Sequence, residues 1–255
     1  MIYLKYPAWL FGFSLAFLIF ERLLPRHPQR LLRRGFFSDL AYLVFNSEYL
    51  GMLLGMIAVP VAAHLRVHHW LDIGVMRGQP FWVQFPVLVL VMDFSRYLIH
   101  NLLHRVPWLW EFHKVHHSIE ELDWIGNWRF HWVEVVIYDS LLYVPAAFFG
   151  FRPEAMFWFG VVNTLLGHFA HANVNVWIGP LKYIINSPEM HQWHHVHPDA
   201  GPVNRNFGVG LAMWDWIFGT AYVPEHQDPK RLGFAGIERY PHNIFGQLIA
   251  PFRRV

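Results

Sequence analysis

No cysteine occurs in the 255 residues. Disulfides, thiolate zinc sites, cysteine-ligated iron–sulfur clusters and cysteine nucleophiles are therefore excluded. Charge is scarce as well: Asp, Glu, Lys and Arg make up 15% of the chain, against about a quarter in an ordinary soluble domain. The net charge is only +2, which excludes a broadly basic nucleic-acid binder. There is no G-x-G-x-x-G fingerprint, evident haem or flavin module, H-E-x-x-H zinc motif, internal repeat or low-complexity tract.

What the chain has is apolar and aromatic: 55% hydrophobic and 18% aromatic residues, with 13 Trp and 10 Tyr. Long apolar runs of this kind predict an integral membrane protein, and the Trp and Tyr suit water–lipid boundaries. The apolar run from Tyr6 to Phe20 is long for a signal-peptide core. The stronger positive charge follows it, and no small-residue cleavage site ends it, so it reads as a first membrane helix.

Spans are expected at about residues 7–24, 40–63 and 81–99, followed by two shorter apolar segments at 135–149 and 155–170. A turn at 150–153, carrying Gly150 and Pro153, joins the last two into a hairpin that either tilts or only partly crosses. The expected fold is an all-α helical membrane bundle of about four spans, or three plus a partly inserted hairpin, with a cytoplasmic histidine-rich cap. Residues 1–80 would supply N-terminal membrane helices, 81–222 the chemistry and 223–255 a tail, within one structural unit. Arg22, Arg26, Arg30, Arg33 and Arg34 lie in or beside the first connection and place it on the cytoplasmic side. Counting spans from there puts residues 100–134 and everything after 170 on that same side.

That side holds three tight histidine clusters: His100 and His104 in HNLLH, His113, His116 and His117 in HKVHH, and His191, His194 and His195 in HQWHH. Spacings of three and four put rings on one helical face, and imidazole is the commonest protein metal ligand. One ion needs about four ligands, so eight imidazoles point to two ions. Nitrogen donors suit zinc, copper, iron and nickel. A hydrolytic zinc site uses three protein ligands and leaves most of the set unexplained, whereas two irons with open positions for dioxygen use all of it.

The order H-x-x-x-H, H-x-x-H-H, H-x-x-H-H resembles the fatty acid hydroxylase/sterol desaturase superfamily. The likeness covers about residues 90–222 and includes DFSRYLIHNLLHRVPWLWEFHKVHHS, RFHWVE, HFAHANV, SPEMHQWHH and NFGVGLAMWDWIFGT. It implies a non-haem di-iron centre that activates O2, with the eight clustered histidines as ligands. The HFAHAN stretch implies His171 and, three residues earlier, His168. His131 matches a family R-x-H-P-x-E element in which Trp132 here replaces the proline. Asp93, Glu134, Asn173, Asp199, Asn206 and Asp215 are candidates to support the ligands from behind. Zinc is expected to replace iron readily on purification.

The implied reaction is oxygen insertion into a C–H bond of a lipid, fatty acyl, sterol-like or related, with desaturation as the alternative at the same site. A metal transporter and a zinc-dependent membrane hydrolase are rivals of other classes. Electrons are expected from a separate donor, a cytochrome b5-like protein or a ferredoxin with its reductase. Arg105, Lys114, Lys182 and Arg205 are candidate docking cations, although ordinary positive-inside bias is the better explanation of any single one.

Overall fold

Proline placement sets the main helix boundaries. Val106 precedes Pro107 and is extended (φ −93°, ψ 113°), as a residue before proline prefers. The helix that starts at Phe81 therefore stops at Arg105, and a new helix starts with Pro107 at its first turn. The computed structural model describes residues 5–50, 56, 73–225 and 227–253. Its helices are α1 (Tyr6–Leu23), α2 (Phe36–Val44, continuing as a π-helical turn over Phe45–Leu50), α3 (Phe81–Arg105) and α4 (Pro107–His117). They are followed by α5 (Trp132–Phe149), α6 (Pro153–His171), α7 (Pro188–His194), α8 (Met213–Phe218) and α9 (Ile244–Ile249). Short 3-10 turns at Trp124–Trp128, Gly179–Tyr183, Ile237–Arg239 and Ala250–Phe252 fill the connections. Among the described residues only isolated β-bridges occur, so the fold is all-α.

The expected hairpin of 135–149 and 155–170 is present as α5 and α6, which are 18 and 19 residues long and joined through Gly150 at φ +74°. Both helices extend beyond the apolar stretches, because Glu134 and His171 have buried partners. The expected span at 40–63 is described only as far as Leu50, where its first part is α2 and the π-helical turn; apart from Met56 the rest of that span, and His64, His68 and His69 in the connection after it, lie outside the described residues. One described helix, α3, is long and apolar enough to cross a membrane.

Helices α3, α5 and α6 share a core of Leu88, Met92, Leu142, Ala146, Ala155 and Phe159. A second core joins α1 to the turn after α4 through Phe17, Trp124, Ile125, Ala172 and Val174. The fold also holds a buried network of two cations and two anions. Arg33 donates to Asp123 (2.7 Å) and to Asp39 (2.7 Å), and Arg129 donates to Asp39 (2.9 Å). All four side chains are essentially removed from solvent. The network needs Gly35: its φ is +85°, and a Cβ there would lie 2.5 Å from the Arg129 guanidinium. One of the five arginines read as a topology marker is thus a buried structural cation.

Candidate metal centre

The break at Pro107 folds α4 back against the end of α3, so the first two histidine clusters face each other. The third sits on α7, whose start is fixed by Ser187 accepting from the Met190 amide (3.2 Å) and by Pro188 in the first turn. The last turn of α6 adds His171. Together these elements gather nine histidines into two groups. His100, His104, His113, His117 and His194 form one, and His116, His171, His191 and His195 form the other; within each group the candidate ligand atoms lie within 4.8 Å of one another.

The two H-x-x-H-H boxes are divided between the groups in mirror fashion. In HKVHH the first and last rings join the five-histidine group and the middle one joins the four-histidine group. In HQWHH the first and last rings join the four-histidine group and the middle one crosses to the other. Residues four apart share a site because they lie over one another on the helix. The third position is rotated far enough to face the neighbouring site.

All the inward-facing atoms resolved in pairs are Nε2. Separations are 3.2 Å for His100–His113, 3.2 Å for His104–His117 and 3.1 Å for His117–His194 in the first group. In the second they are 3.3 Å for His116–His171, 2.9 Å for His171–His191 and 3.1 Å for His191–His195. Ligand nitrogens about 2.1 Å from a shared ion and 90° to 109° apart would be about 3.0 to 3.4 Å from each other.

The opposite ring edges decide whether a proton or a cation belongs between them. His100 Nδ1 donates to the Phe207 carbonyl (2.8 Å), and His113 Nδ1 donates to Glu134 Oε1 (2.7 Å). His116 donates to the Arg129 carbonyl (3.2 Å), His171 to the Gly167 carbonyl (2.9 Å) and His194 to the Arg205 carbonyl (2.8 Å). Carbonyls and carboxylates only accept, so these rings are Nδ1–H tautomers with lone pairs on Nε2. The His100–His113 and His116–His171 pairs then face each other lone pair to lone pair, which a cation resolves and a hydrogen bond does not. Burial first, and neighbouring imidazoles second, hold His116, His117, His191 and His195 well below the usual imidazole range. Burial takes His194 down to about 3. These five rings are neutral at physiological pH, the form that binds a metal.

The two groups differ in access. His104 is the only one of the nine that is not fully buried. Together with His117 and His194 it walls a cavity of about 300 Å³ that also meets Trp110, Lys114 and Phe234. The four-histidine group is buried throughout.

Two histidines expected as ligands lie elsewhere. His131 accepts from the Val133 amide through Nδ1 (3.1 Å) and donates to the Leu248 carbonyl through Nε2 (3.0 Å), so it fastens the start of α5 to α9. His168 faces Ser14 and Asn127, each at 3.5 Å, and stacks on Trp124. Both nitrogens of each ring face protein groups outside the two clusters.

Of the expected supporting residues, Glu134 contacts a cluster histidine. Asp93 instead accepts from the Gly210 and Leu211 amides (3.1 and 3.2 Å) and from Trp214 Nε1 (2.9 Å), which ties the 207–214 loop to α3. Asp215 accepts from the Phe207 and Gly208 amides (2.7 Å each) and so sets the carbonyl of Phe207 that orients His100. Asn206 cross-links the Met190 and Tyr222 backbones, Asn173 clamps His27, and Asp199 is exposed beside His197 and Arg231. Among the expected docking cations, Lys114 is paired with Glu111 (2.5 Å), and Arg205 donates to the Gly219 carbonyl. The Arg33–Asp39–Asp123–Arg129 network went unread in the sequence. Its one visible trace is Asp39, a lone acid inside the otherwise apolar FFSDLAYLV.

The fatty acid hydroxylase family model matches residues 85–220, more than half of the chain. An ornithine lipid hydroxylase, OlsE of Rhizobium tropici, is 29% identical over 247 residues, covering 92% of this chain and 72% of that protein. Alkylglycerol monooxygenases are similar over a shorter stretch: 30% identity for that of Xenopus tropicalis (58% of this chain) and 33% for that of Homo sapiens (51% of this chain). The chain spans only 31% and 28% of the length of those two. No solved structure matches the chain.

Proposed function

The chain belongs to the fatty acid hydroxylase family, and from that premise we propose that it is a multi-pass membrane oxygenase that hydroxylates a C–H bond of a membrane lipid, using O2, two iron ions and electrons from a separate donor. It is an oxidoreductase of the histidine-box type acting on a lipid. The observation that carries the di-iron reading is the division of nine buried or half-buried imidazoles into two interlocked groups with inward Nε2 lone pairs.

The proposed ligands are His100, His104, His113, His117 and His194 for one ion and His116, His171, His191 and His195 for the other. Iron bound there would supply dioxygen activation and the oxidising power to cleave an unactivated C–H bond. The protein's part is positional. Backbone carbonyls fix the tautomers of His100, His116, His171 and His194, and Glu134 fixes that of His113. Trp110 and Phe207 lie against the His104 ring and limit water around it.

Exposed apolar side chains on α1 and α3, among them Phe11, Ile19, Trp82 and Leu90, support a lipid surround. Both histidine groups lie at the polar end of α3. A transport site would be expected near the bilayer midplane on interrupted helices, so the geometry favours the oxygenase. The relatives named for ornithine lipid and alkylglycerol favour a lipid with a long acyl or alkyl chain as substrate. Electrons would enter from the cytoplasmic side, where His104 meets the cavity.

The test is expression in a lipid-rich host with a compatible reductase, followed by lipid mass spectrometry. A lipid heavier by one oxygen atom, labelled from 18O-enriched O2, is expected. A lipid lighter by two hydrogens would mean desaturation, and product formed equally well under nitrogen would sink the oxygenase reading.

A further inference from the structure

The polar cap carries an apolar surface that the metal chemistry does not use. Residues 181–184 and 216–218 come together: Trp216 Nε1 donates to the Lys182 carbonyl (3.0 Å), and the Tyr183 and Trp216 rings are 4.7 Å apart. Ile184, Ile217 and Phe218 are each more than half exposed. Isolated exposed apolar residues are ordinary, but a contiguous patch marks a contact surface.

Its position says what it contacts. The Phe218 ring stacks on Phe94 (5.9 Å) and Tyr97 (5.4 Å), and Trp214 packs on Phe94 (4.8 Å) while bonded to Asp93. These anchors lie well below the polar end of α3. From Phe94 to Arg105 a helix climbs about 16 Å at about 1.5 Å per residue. On the same helix Leu90, Leu98 and Leu102 are exposed, so an apolar surface continues past the patch toward the end of α3. The chemistry agrees. Across residues 177–184 and 213–219 the only acid is Asp215, and it is buried on backbone amides. The only cation is Lys182, lying over the Tyr183 ring at 5.7 Å. Trp, Tyr and a snorkelling Lys around aliphatic side chains are the composition of a membrane–water boundary.

We propose that residues 181–184 and 216–218 form a foot that enters the lipid leaflet beside α3. The foot rests on the membrane-spanning reading of α3. It sets the depth of the cap: the loop that carries Phe207 and Asp93's partners is held at bilayer level, so His100 and its neighbours lie at the headgroup boundary. A lipid then reaches the centre from the leaflet without passing through water.

The absence of native cysteine makes the test direct. Single-cysteine variants Ile217→Cys, Ile184→Cys, Leu90→Cys and Asp199→Cys are spin-labelled and reconstituted in phosphatidylcholine vesicles. Collision of each label with O2, which concentrates in hydrocarbon, is compared with collision with a water-soluble nickel chelate. The O2-to-nickel ratio is expected to be several-fold higher at Ile217 and Ile184 than at Asp199, and to approach that at Leu90. Ratios at both foot positions equal to that at Asp199, with Leu90 still lipid-like, would overturn the foot while leaving α3 in the membrane. Nickel-dominated collisions at Leu90 as well would overturn the spanning reading and the foot with it. Shielding of Ile217 from both reagents with spin–spin broadening would show a second copy on the patch and overturn the proposal too.

Discussion

The five-histidine and four-histidine groups are built from the same residue type and the same boxes, yet their surroundings differ. The first has one partly exposed ring, a cavity and a carboxylate behind one ligand. The second is sealed, and the ring edges of His116 and His171 meet backbone carbonyls. Its other two rings, His191 and His195, have buried Nδ1 atoms without a protein partner in the structure. An open site with a carboxylate support lies beside a closed site with backbone supports: the first borders a cavity, while the second is enclosed by the fold. The difference also shows that a shared H-x-x-H-H spacing does not specify a shared environment.

Breaking the groups separately gives the largest effect. His113→Ala with His117→Ala should abolish O2-dependent lipid oxidation and lower bound metal by about half, measured by elemental analysis. His191→Ala with His195→Ala should remove the complementary half. Loss of all metal from either double variant would show that the two groups do not bind independently and would end the comparison. The next effect concerns support of the closed site. Arg129→Met leaves buried Asp39 with one cation instead of two and loosens the segment whose carbonyl orients His116. Stripping one partner from a buried ionic network costs about 3 to 5 kcal/mol. A fall of several degrees in the unfolding midpoint, with metal lost first from the closed site, is the expected result of thermal melts followed by metal analysis. An unchanged midpoint would mean that the network does not hold that site.

The open site has its own support, with a smaller expected effect. Glu134→Gln keeps an oxygen to accept from His113 Nδ1 but removes the charge behind it. Metal affinity should fall about 10- to 100-fold at that site alone, read by competition with a chromophoric chelator, while helical content by circular dichroism stays unchanged. Equal weakening at both sites would argue that Glu134 acts through the fold and not through His113.

Much of this was legible in the sequence, and the limits have physical causes. The helical hairpin, α3 and the three boxes follow from apolar runs, proline positions and histidine spacing, which are local properties. The allotment of His116 to one group and His113 and His117 to the other is a consequence of helical phase, and only the packing of α4 against α3 and α7 makes it visible. Arg33 looks like Arg30 and Arg34 in the sequence, because the partners that bury it, Asp39 and Asp123, lie on different elements. Asp93 and Asn206 are the right residue types for supporting a ligand, but they bond backbone groups instead, Asp93 those of the 207–214 loop and Asn206 those of Met190 and Tyr222. Such choices depend on which amides the fold leaves unpaired, and residue spacing does not encode that.

The smallest expected effect separates histidines inside the groups from those outside. His131 carries two hydrogen bonds that join α5 and α9, one from the Val133 amide and one to the Leu248 carbonyl. Its ring also lies against Phe112, one residue before His113. His131→Ala removes both bonds and leaves the partly buried Leu248 carbonyl unpaired, which costs at most about 1 to 3 kcal/mol. The bound metal should nevertheless remain at the wild-type ratio, because neither ring nitrogen faces a cluster. A ligand histidine would reverse that pattern, losing metal first and stability only as a consequence. Metal analysis and thermal melting on one preparation therefore distinguish the two roles: a lower midpoint with full metal places His131 in the scaffold, and a drop in metal at an unchanged apo-protein midpoint would return it to the centre.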